Sequence, residues 1–252
     1  MSYLLASTTW KTVRETNYEV AILPWAATEA HNYHLPYATD IIEGEAIAAE
    51  AARMAWEAGA KVVVLPCIPF GVNTGQTDIK LDMNLMPSTQ LAILRDLITV
   101  LDRQGIKKLV VFNSHGGNSF RTMLRELGVA FPEMLLVETN WFKAIDRAAF
   151  VEEGGDHADE LETSLVLHLR PDLVRPLEQA GDGAEKQPRI RAFNEGWVWR
   201  ERPWSQVTES TGTGNVSKST AEKGRRIFTH LTEKFAQLFI DLAAVDKDDF
   251  YE

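Results

Sequence analysis

The chain of 252 residues sets 26 Lys and Arg against 36 Asp and Glu, a formal charge of −10. No segment gathers the cations that sequence-independent binding to nucleic acid or to an anionic membrane needs. A hydrophobic content of 45% allows one substantial core, so a single domain over 1–252 is expected, while one cysteine, Cys67, excludes a disulfide framework and a thiolate zinc site. With no signal-type N-terminus and no apolar run of about eighteen residues, the expectation is a soluble, cytoplasmic protein whose partner is a small molecule or another copy of itself.

Residues 19–25 form the first expected strand, a nearly continuous apolar run of the kind a parallel sheet buries on both faces. It leads into Glu29-Ala30-His31-Asn32-Tyr33-His34-Leu35-Pro36-Tyr37-Ala38-Thr39-Asp40, which holds two imidazoles and two carboxylates in twelve residues. Pro36 keeps this stretch from becoming helix, and a loop leaving a strand end can present Glu29 and His31, two apart, to one side. From 42 to 58, Ile47, Ala51, Met54 and Ala58 recur at helical steps of four and three, stopped by Gly59.

Residues 61–70 (KVVVLPCIPF) read as a second strand and 71–82 as a polar, glycine-containing loop. Pro87 suits the first turn of a helix that runs through Leu91, Leu94, Leu97 and Val100 to Gly105. A third strand at 107–112 ends in Asn113-Ser114-His115-Gly116-Gly117-Asn118, followed by a helix at 119–129, a fourth strand at 134–141 and a helix at 159–169. This alternation indicates a mainly parallel α/β sheet. Residues 171–214, rich in Pro, Gly and charge, break the pattern. They carry Trp197, Trp199 and Trp204 and are expected to be irregular or to form a short extra hairpin, covering a pocket or filling a subunit interface. A last helix at 219–244 uses Ile227, Leu231, Phe235, Leu238, Phe239 and Leu242 as its apolar face.

Ligands of an open parallel sheet collect outside the carboxyl ends of its strands, where both histidine-bearing loops lie. Gly116 and Gly117 let the backbone beside His115 approach a ligand or metal closely. With Glu29, His31 and Asp40, His115 completes an imidazole and carboxylate set suited to zinc, manganese or ferrous iron, and Asp40 has the two oxygens that bridging a metal pair requires. A third segment, Asp156-His157-Ala158-Asp159-Glu160-Leu161-Glu162-Thr163-Ser164, opens a helix whose N-terminus favours its acids.

Plainer roles compete. His34 serves either as a hydrogen-bonding loop residue or as support behind a ligand, and His115 as a cap on the following helix. Glu160 and Glu162 suit a solvated first turn, His168 and His230 a structural or surface role, and Cys67 a place in the core. For the whole chain, a non-catalytic small-molecule or metal-binding protein and a scaffold with structural histidines stand as alternatives. No G-x-G-x-x-G follows a strand, and no serine occupies a nucleophile elbow.

Taken together, the motifs resemble those of the creatininase (creatinine amidohydrolase) family. The matching residues are Glu29-x-His31-x-x-His34-Leu35-Pro36 with Thr39-Asp40, Ser114-His115-Gly116-Gly117-Asn118, His157-Ala158 with Glu162-Thr163-Ser164, and Gly212 to Gly214 with Thr220-Ala221-Glu222-Lys223-Gly224. The resemblance implies an α/β three-layer sandwich, two divalent metal ions, hydrolysis of non-peptide C–N bonds in small molecules, and a homo-oligomer such as a hexamer. Carried over by position, it implies Glu29, His31, Asp40 and His115 as metal ligands with Asp40 bridging, His157 as a catalytic or substrate-contacting residue, and His34 as support behind the ligands.

Two positions depart from the enzyme that names the family. It carries a glutamate two residues after the histidine matching His115, where this chain has Gly117, which leaves Glu162 to complete the second metal site. It also carries a tryptophan where this chain has Glu153. Gly117 gives the HGGN form of relatives that are not creatininases, a formamidopyrimidine deformylase and a peptide-trimming enzyme among them. The implied reaction is therefore metal-assisted hydrolysis of an amide, cyclic amide or formamide other than creatinine.

Overall fold

In the computed structural model, which describes residues 2–251, the chain is organised around strand β1 (Val20–Trp25), buried along its whole length. Val20 and Ile22 join one hydrophobic cluster, and Ala21, Leu23 and Trp25 join another. The run lacks polar alternation because its two faces feed two cores. Strands β2 (Val62–Val64), β3 (Lys108–Asn113) and β4 (Leu135–Asn140) complete a parallel sheet of order β2-β1-β3-β4. Trp25 aligns with Asn113 and Asn113 with Asn140, so the carboxyl ends of three strands finish level. A separate two-stranded antiparallel ribbon joins β5 (Gly155–His157) to β6 (Thr213–Gly214).

The helices in chain order are α1 (Trp10–Arg14), α2 (Thr39–Glu57), α3 (Pro87–Arg103), α4 (Arg121–Ala130), α5 (Glu160–Leu169), the one-turn α6 (Arg191–Asn194) and α7 (Trp204–Val207), and α8 (Ala221–Ala244). One face of the sheet is covered by Ala48, Ala51 and Ala55 of α2, Leu161 and Leu165 of α5, and Ile227, Leu231 and Phe239 of α8. Leu94 and Ile98 of α3 and Met123 and Leu127 of α4 cover the other. The result is the expected three-layer α/β sandwich. The alanine stripe of α2 lets it lie close to its neighbours, and at its start a Cβ on Gly44 would sit 2.9 Å from that of Ser114, so α2 begins against the end of β3.

The structure corrects several expectations. The second strand stops at Val64 instead of running through 61–70, because Pro66 and Pro69 have no N–H to donate; only an isolated bridge from Ile68 to Trp25 continues it. Cys67, expected in the core, is half-buried in that interrupted stretch. Helix α2 starts at Thr39, ahead of 42, after a turn in which the Pro36 carbonyl accepts from the Thr39 amide at 3.1 Å and hydroxyl at 2.8 Å. Asp40 is thus a first-turn helix residue, where its charge suits the helix dipole. Residues 171–214 form no hairpin of their own, since β6 pairs with the distant β5. Trp197 and Trp199 are exposed, whereas Trp204 is half-buried. Among the described residues no helix is long and apolar enough to cross a membrane.

Phe112 of β3 is fully buried with its ring 4.8 Å from that of Phe235 on α8. Phe112→Ala is expected to cost about 3–5 kcal/mol in urea unfolding. A loss below about 1 kcal/mol would contradict this packing of α8 on the sheet.

Candidate metal centre

Five side chains from four places meet beyond the carboxyl end of the sheet. Glu29 and His31 follow β1, Asp40 opens α2, His115 follows β3, and Glu162 lies in the first turn of α5. His31 Nε2 is 3.0 Å from Asp40 Oδ1, while His115 Nδ1 is 3.0 Å from Asp40 Oδ2 and 2.9 Å from Glu29 Oε1. Asp40 therefore offers one oxygen to each imidazole. Ligand atoms cluster as Glu29, Asp40 and His115, as His31, Asp40 and Glu162, and as Glu29, His31 and His157.

Backbone carbonyls decide which nitrogen of each ring faces this cluster, because a carbonyl only accepts. His115 Nε2 donates to Val72 O at 3.0 Å, His31 Nδ1 to Glu29 O at 3.2 Å, and His157 Nε2 to Ala30 O at 2.9 Å. Each bond leaves the other nitrogen facing the cluster, the arrangement that metal-ligating histidines use. His31 Nε2 and Asp40 Oδ2 are buried with no hydrogen-bond partner, despite their near neighbours. Atoms this close that do not aim at one another aim at a shared point, and hard oxygen and imidazole donors there fit divalent cations.

The charge balance agrees. Burial opposes ionisation of Glu29, yet His115, His157 and His31 hold its carboxyl below the usual range. Against the pull of burial, Asp40 and Glu29 raise His31 to about 10 and also raise His115. A site that draws protons onto its imidazoles carries excess negative charge, which cations would neutralise. Burial and then the nearby His31 lower His157, leaving it neutral, and the same two causes lower His34 to about 4. Burial, with Asp159 and Asp40 and against the opposing pull of His31, pushes Glu162 up to about 8.

The remaining motif residues brace this cluster. His34 Nε2 pairs at 2.8 Å with the Thr163 hydroxyl, tying the β1 loop to the helix turn that carries Glu162; it reaches no ligand directly. Glu162 Oε2 accepts from Ala158 N at 2.5 Å. Asn118 accepts from Val72 N at 3.0 Å and donates to Asn113, whose amide in turn donates to His115 O at 2.9 Å. A Cβ on Gly117 would collide with the Val72 carbonyl oxygen and the His115 ring, so this position admits no side chain. A Cβ on Gly212 would strike Asn32, which holds the β1 loop in a left-handed turn at φ 53°. Thr220 caps α8, Gly224 packs on the Ser164 carbonyl, and Lys223 Nζ bonds Glu160 at 2.5 Å, together fixing α5.

The centre opens into a cavity of about 820 Å³, walled by Asn73, Gln76 and Trp141 and by residues 199–202 and Trp204 of the irregular segment. Sequence reasoning missed Gln76, whose Nε2 donates to Glu29 Oε2 at 2.5 Å; its only signal was a polar loop at a strand end. It named Trp204 as covering a pocket or filling an interface, but not the approach of its ring to within 4.7 Å of that of His157. It also missed Glu43, fully buried with neither oxygen hydrogen-bonded, whose signal was its spacing of three from Asp40 on α2.

Burial, reinforced by Glu162, Asp40 and Asp159, raises the Glu43 carboxyl well above its ordinary 4.5. The folded chain thus keeps a proton that the unfolded chain has released, and stability falls as pH climbs past that value. In chelator-treated protein, Glu43→Gln should gain on the wild type between about pH 5 and about pH 8 in urea unfolding. A difference equal at both pH values would show that Glu43 ionises without penalty.

The family model for creatinine amidohydrolase, Creatininase, matches residues 6–239. The mycofactocin precursor peptide peptidase of Mycobacterium tuberculosis is 28% identical over 222 residues, covering 84% of this chain and 81% of its own. The creatinine amidohydrolase of Pseudomonas putida is 28% identical over 176 residues, 62% of this chain and 66% of its own. A crystal structure from Bacteroides fragilis, provisionally assigned as a creatinine amidohydrolase, superposes with a TM-score of 0.93 at 41% identity over 100% of this chain and 99% of that one. With the histidine-bearing loops inside a match that spans nearly its whole length, the chain belongs to the creatininase family.

Proposed function

We propose that this chain is a metal-dependent hydrolase that cleaves a non-peptide C–N bond, an amide, cyclic amide or formamide, in a small molecule. The observation that carries the reading is the convergence of His31 Nε2 and Asp40 Oδ2, both buried and without hydrogen-bond partners, with the free nitrogen of His115 and the carboxylates of Glu29 and Glu162. Glu29, Asp40 and His115 would hold one divalent ion, and His31, Asp40 and Glu162 a second, with Asp40 shared. Zinc, manganese or ferrous iron bound there supplies Lewis acidity and a water that deprotonates near neutral pH.

His157 then acts at Nδ1. Its Nε2–H is committed to the Ala30 carbonyl, and the ring is neutral, so Nδ1 can take a proton from the attacking water and pass it to the leaving nitrogen. Gln76 fixes the second oxygen of Glu29 and so orients the first toward the cluster. Membership of a family that includes creatinine amidohydrolases supports the reaction class, and the peptidase relative shows that family members differ in what they cleave. The sealed position at Gly117, where no carboxylate fits, favours a substrate other than creatinine. Assembly as a homo-oligomer belongs to the same reading and is measured by light scattering.

Chelator treatment should abolish hydrolysis across a panel of cyclic amides and formamides, and zinc or manganese should restore it; turnover that survives demetallation would sink the proposal. Asp40→Ala should lose metal from both sites by elemental analysis, so a full complement would rule out the shared ligand. His157→Gln should keep its metal and lose roughly 10²–10⁴ in turnover, and undiminished turnover would remove His157 from the reaction.

A further inference from the structure

His157 differs from the other histidines of the centre in how its backbone is held. His31 and His115 follow strands of the main sheet, whereas His157 ends β5, whose pairing with β6 slips register between Gly155 and His157. Ala158 after it is left-handed at φ 50°, a conformation that a residue with a side chain disfavours. Among the described residues one hydrogen bond, from Nε2 to Ala30 O, holds a corner of the ring. The His31 ring packs beside it, 4.2 Å from centroid to centroid at an interplanar angle of 39°.

The irregular segment supplies a second ring contact. The Trp204 ring lies 4.7 Å from that of His157, at an interplanar angle of 59°. The guanidinium of Arg202 stacks 4.6 Å above Trp204 and forks onto both oxygens of Asp156, at 3.1 and 2.6 Å. Asp156 is the residue before His157 and also accepts from the Thr213 hydroxyl. The contacts therefore close a ring from His157 through Asp156, Arg202 and Trp204 back to His157. Pro203, extended at φ −79° and ψ 91°, lets residues 202 and 204 work on the same structure.

This segment is itself anchored on the far wall of the cavity. Thr74 donates to Glu201 at 2.8 Å, Ser205 donates to Asp78 at 2.5 Å, and a Cβ on Gly75 would collide with the Arg202 carbonyl. Trp204 is thus fixed from two sides before it meets His157.

We propose that Trp204 is the positioning residue of His157, holding the imidazole so that Nδ1 faces Glu29 and the ligand cluster, and that the pair of Arg202 and Asp156 is the bracket that holds Trp204. The proposal rests on His157 as the proton carrier. Nδ1 stands 3.8 Å from Glu29 Oε1, and a tilt of the ring would trade this orientation for one facing the cavity mouth.

The test uses zinc-loaded full-length protein labelled with nitrogen-15 at histidine, and long-range proton–nitrogen correlation spectra in which His157→Gln identifies the His157 signals. The wild type should show one protonated nitrogen and one with a free or zinc-directed lone pair, well separated in shift. In Trp204→Ala the two shifts should converge toward a tautomeric average with zinc content unchanged, and Trp204→Phe, which restores a ring, should recover the separation. Separated shifts in Trp204→Ala, or convergence that Trp204→Phe does not reverse, would overturn the proposal. Arg202→Gln, which leaves the indole and removes its bracket, guards against an alanine variant that does not fold; it should show partial convergence, and wild-type spectra would count against the bracket. Hydrolysis plays no part in these spectra, so failure of the amide panel bears on the reaction, and failure of the spectra bears on Trp204.

Discussion

Everything at the centre depends on three hydrogen bonds from imidazole N–H groups to backbone carbonyls. Val72 O, Glu29 O and Ala30 O each consume one nitrogen of a histidine and so dictate the direction of the other lone pair. None of these acceptors can be protonated or exchanged by a change of side chain. The tautomers are therefore properties of the fold, set by where the chain passes, and the carboxylates of Glu29 and Asp40 are placed to complement them. Side chains with their own alternatives, such as Gln76 and Asn118, are used one layer out, where they fix oxygens and loops and leave the nitrogens alone.

The scaffold explains why those carbonyls lie where they do. Residues 29–31 and 115 emerge from adjacent, level strand ends, and Asp40 joins them because α2 starts against the end of β3, with the Ser114 hydroxyl donating to the Asp40 carbonyl at 2.7 Å. Glu162 arrives from α5, which is held by the α8 cap, Gly224 and the Lys223 to Glu160 ion pair. A half-buried ion pair of this kind is weak evidence of net stability, and its value here lies in fixing the register of α5 against α8. The late sequence motif at 220–224 contributes to the centre without approaching it.

Much of this was legible in the residues. The nearly continuous apolar run at 19–25 read as a strand of a parallel sheet covered on both faces, and the tight spacing of Glu29, His31 and Asp40 pointed to a cluster of donors. Local pattern failed where another force overrode it. Pro66 and Pro69 end β2 although the hydrophobicity continues, and the turn closed by Pro36 starts α2 earlier than its apolar spacing suggests. Gln76 and the contact of Trp204 with His157 were invisible for a different reason: each arises from tertiary packing that no periodicity encodes. Trp204 in particular acts on His157 from a segment whose composition indicated only irregularity.

Gly117 carries a consequence for how such proteins diverge. Its missing side chain is matched by the Val72 carbonyl, which occupies the space and at the same time accepts the proton that fixes His115. A carboxylate introduced there would evict the group that orients its own neighbouring ligand. A side chain at 117 would therefore require the loop at 71–72 to shift, and with it the acceptor that orients His115, so the two positions are physically coupled.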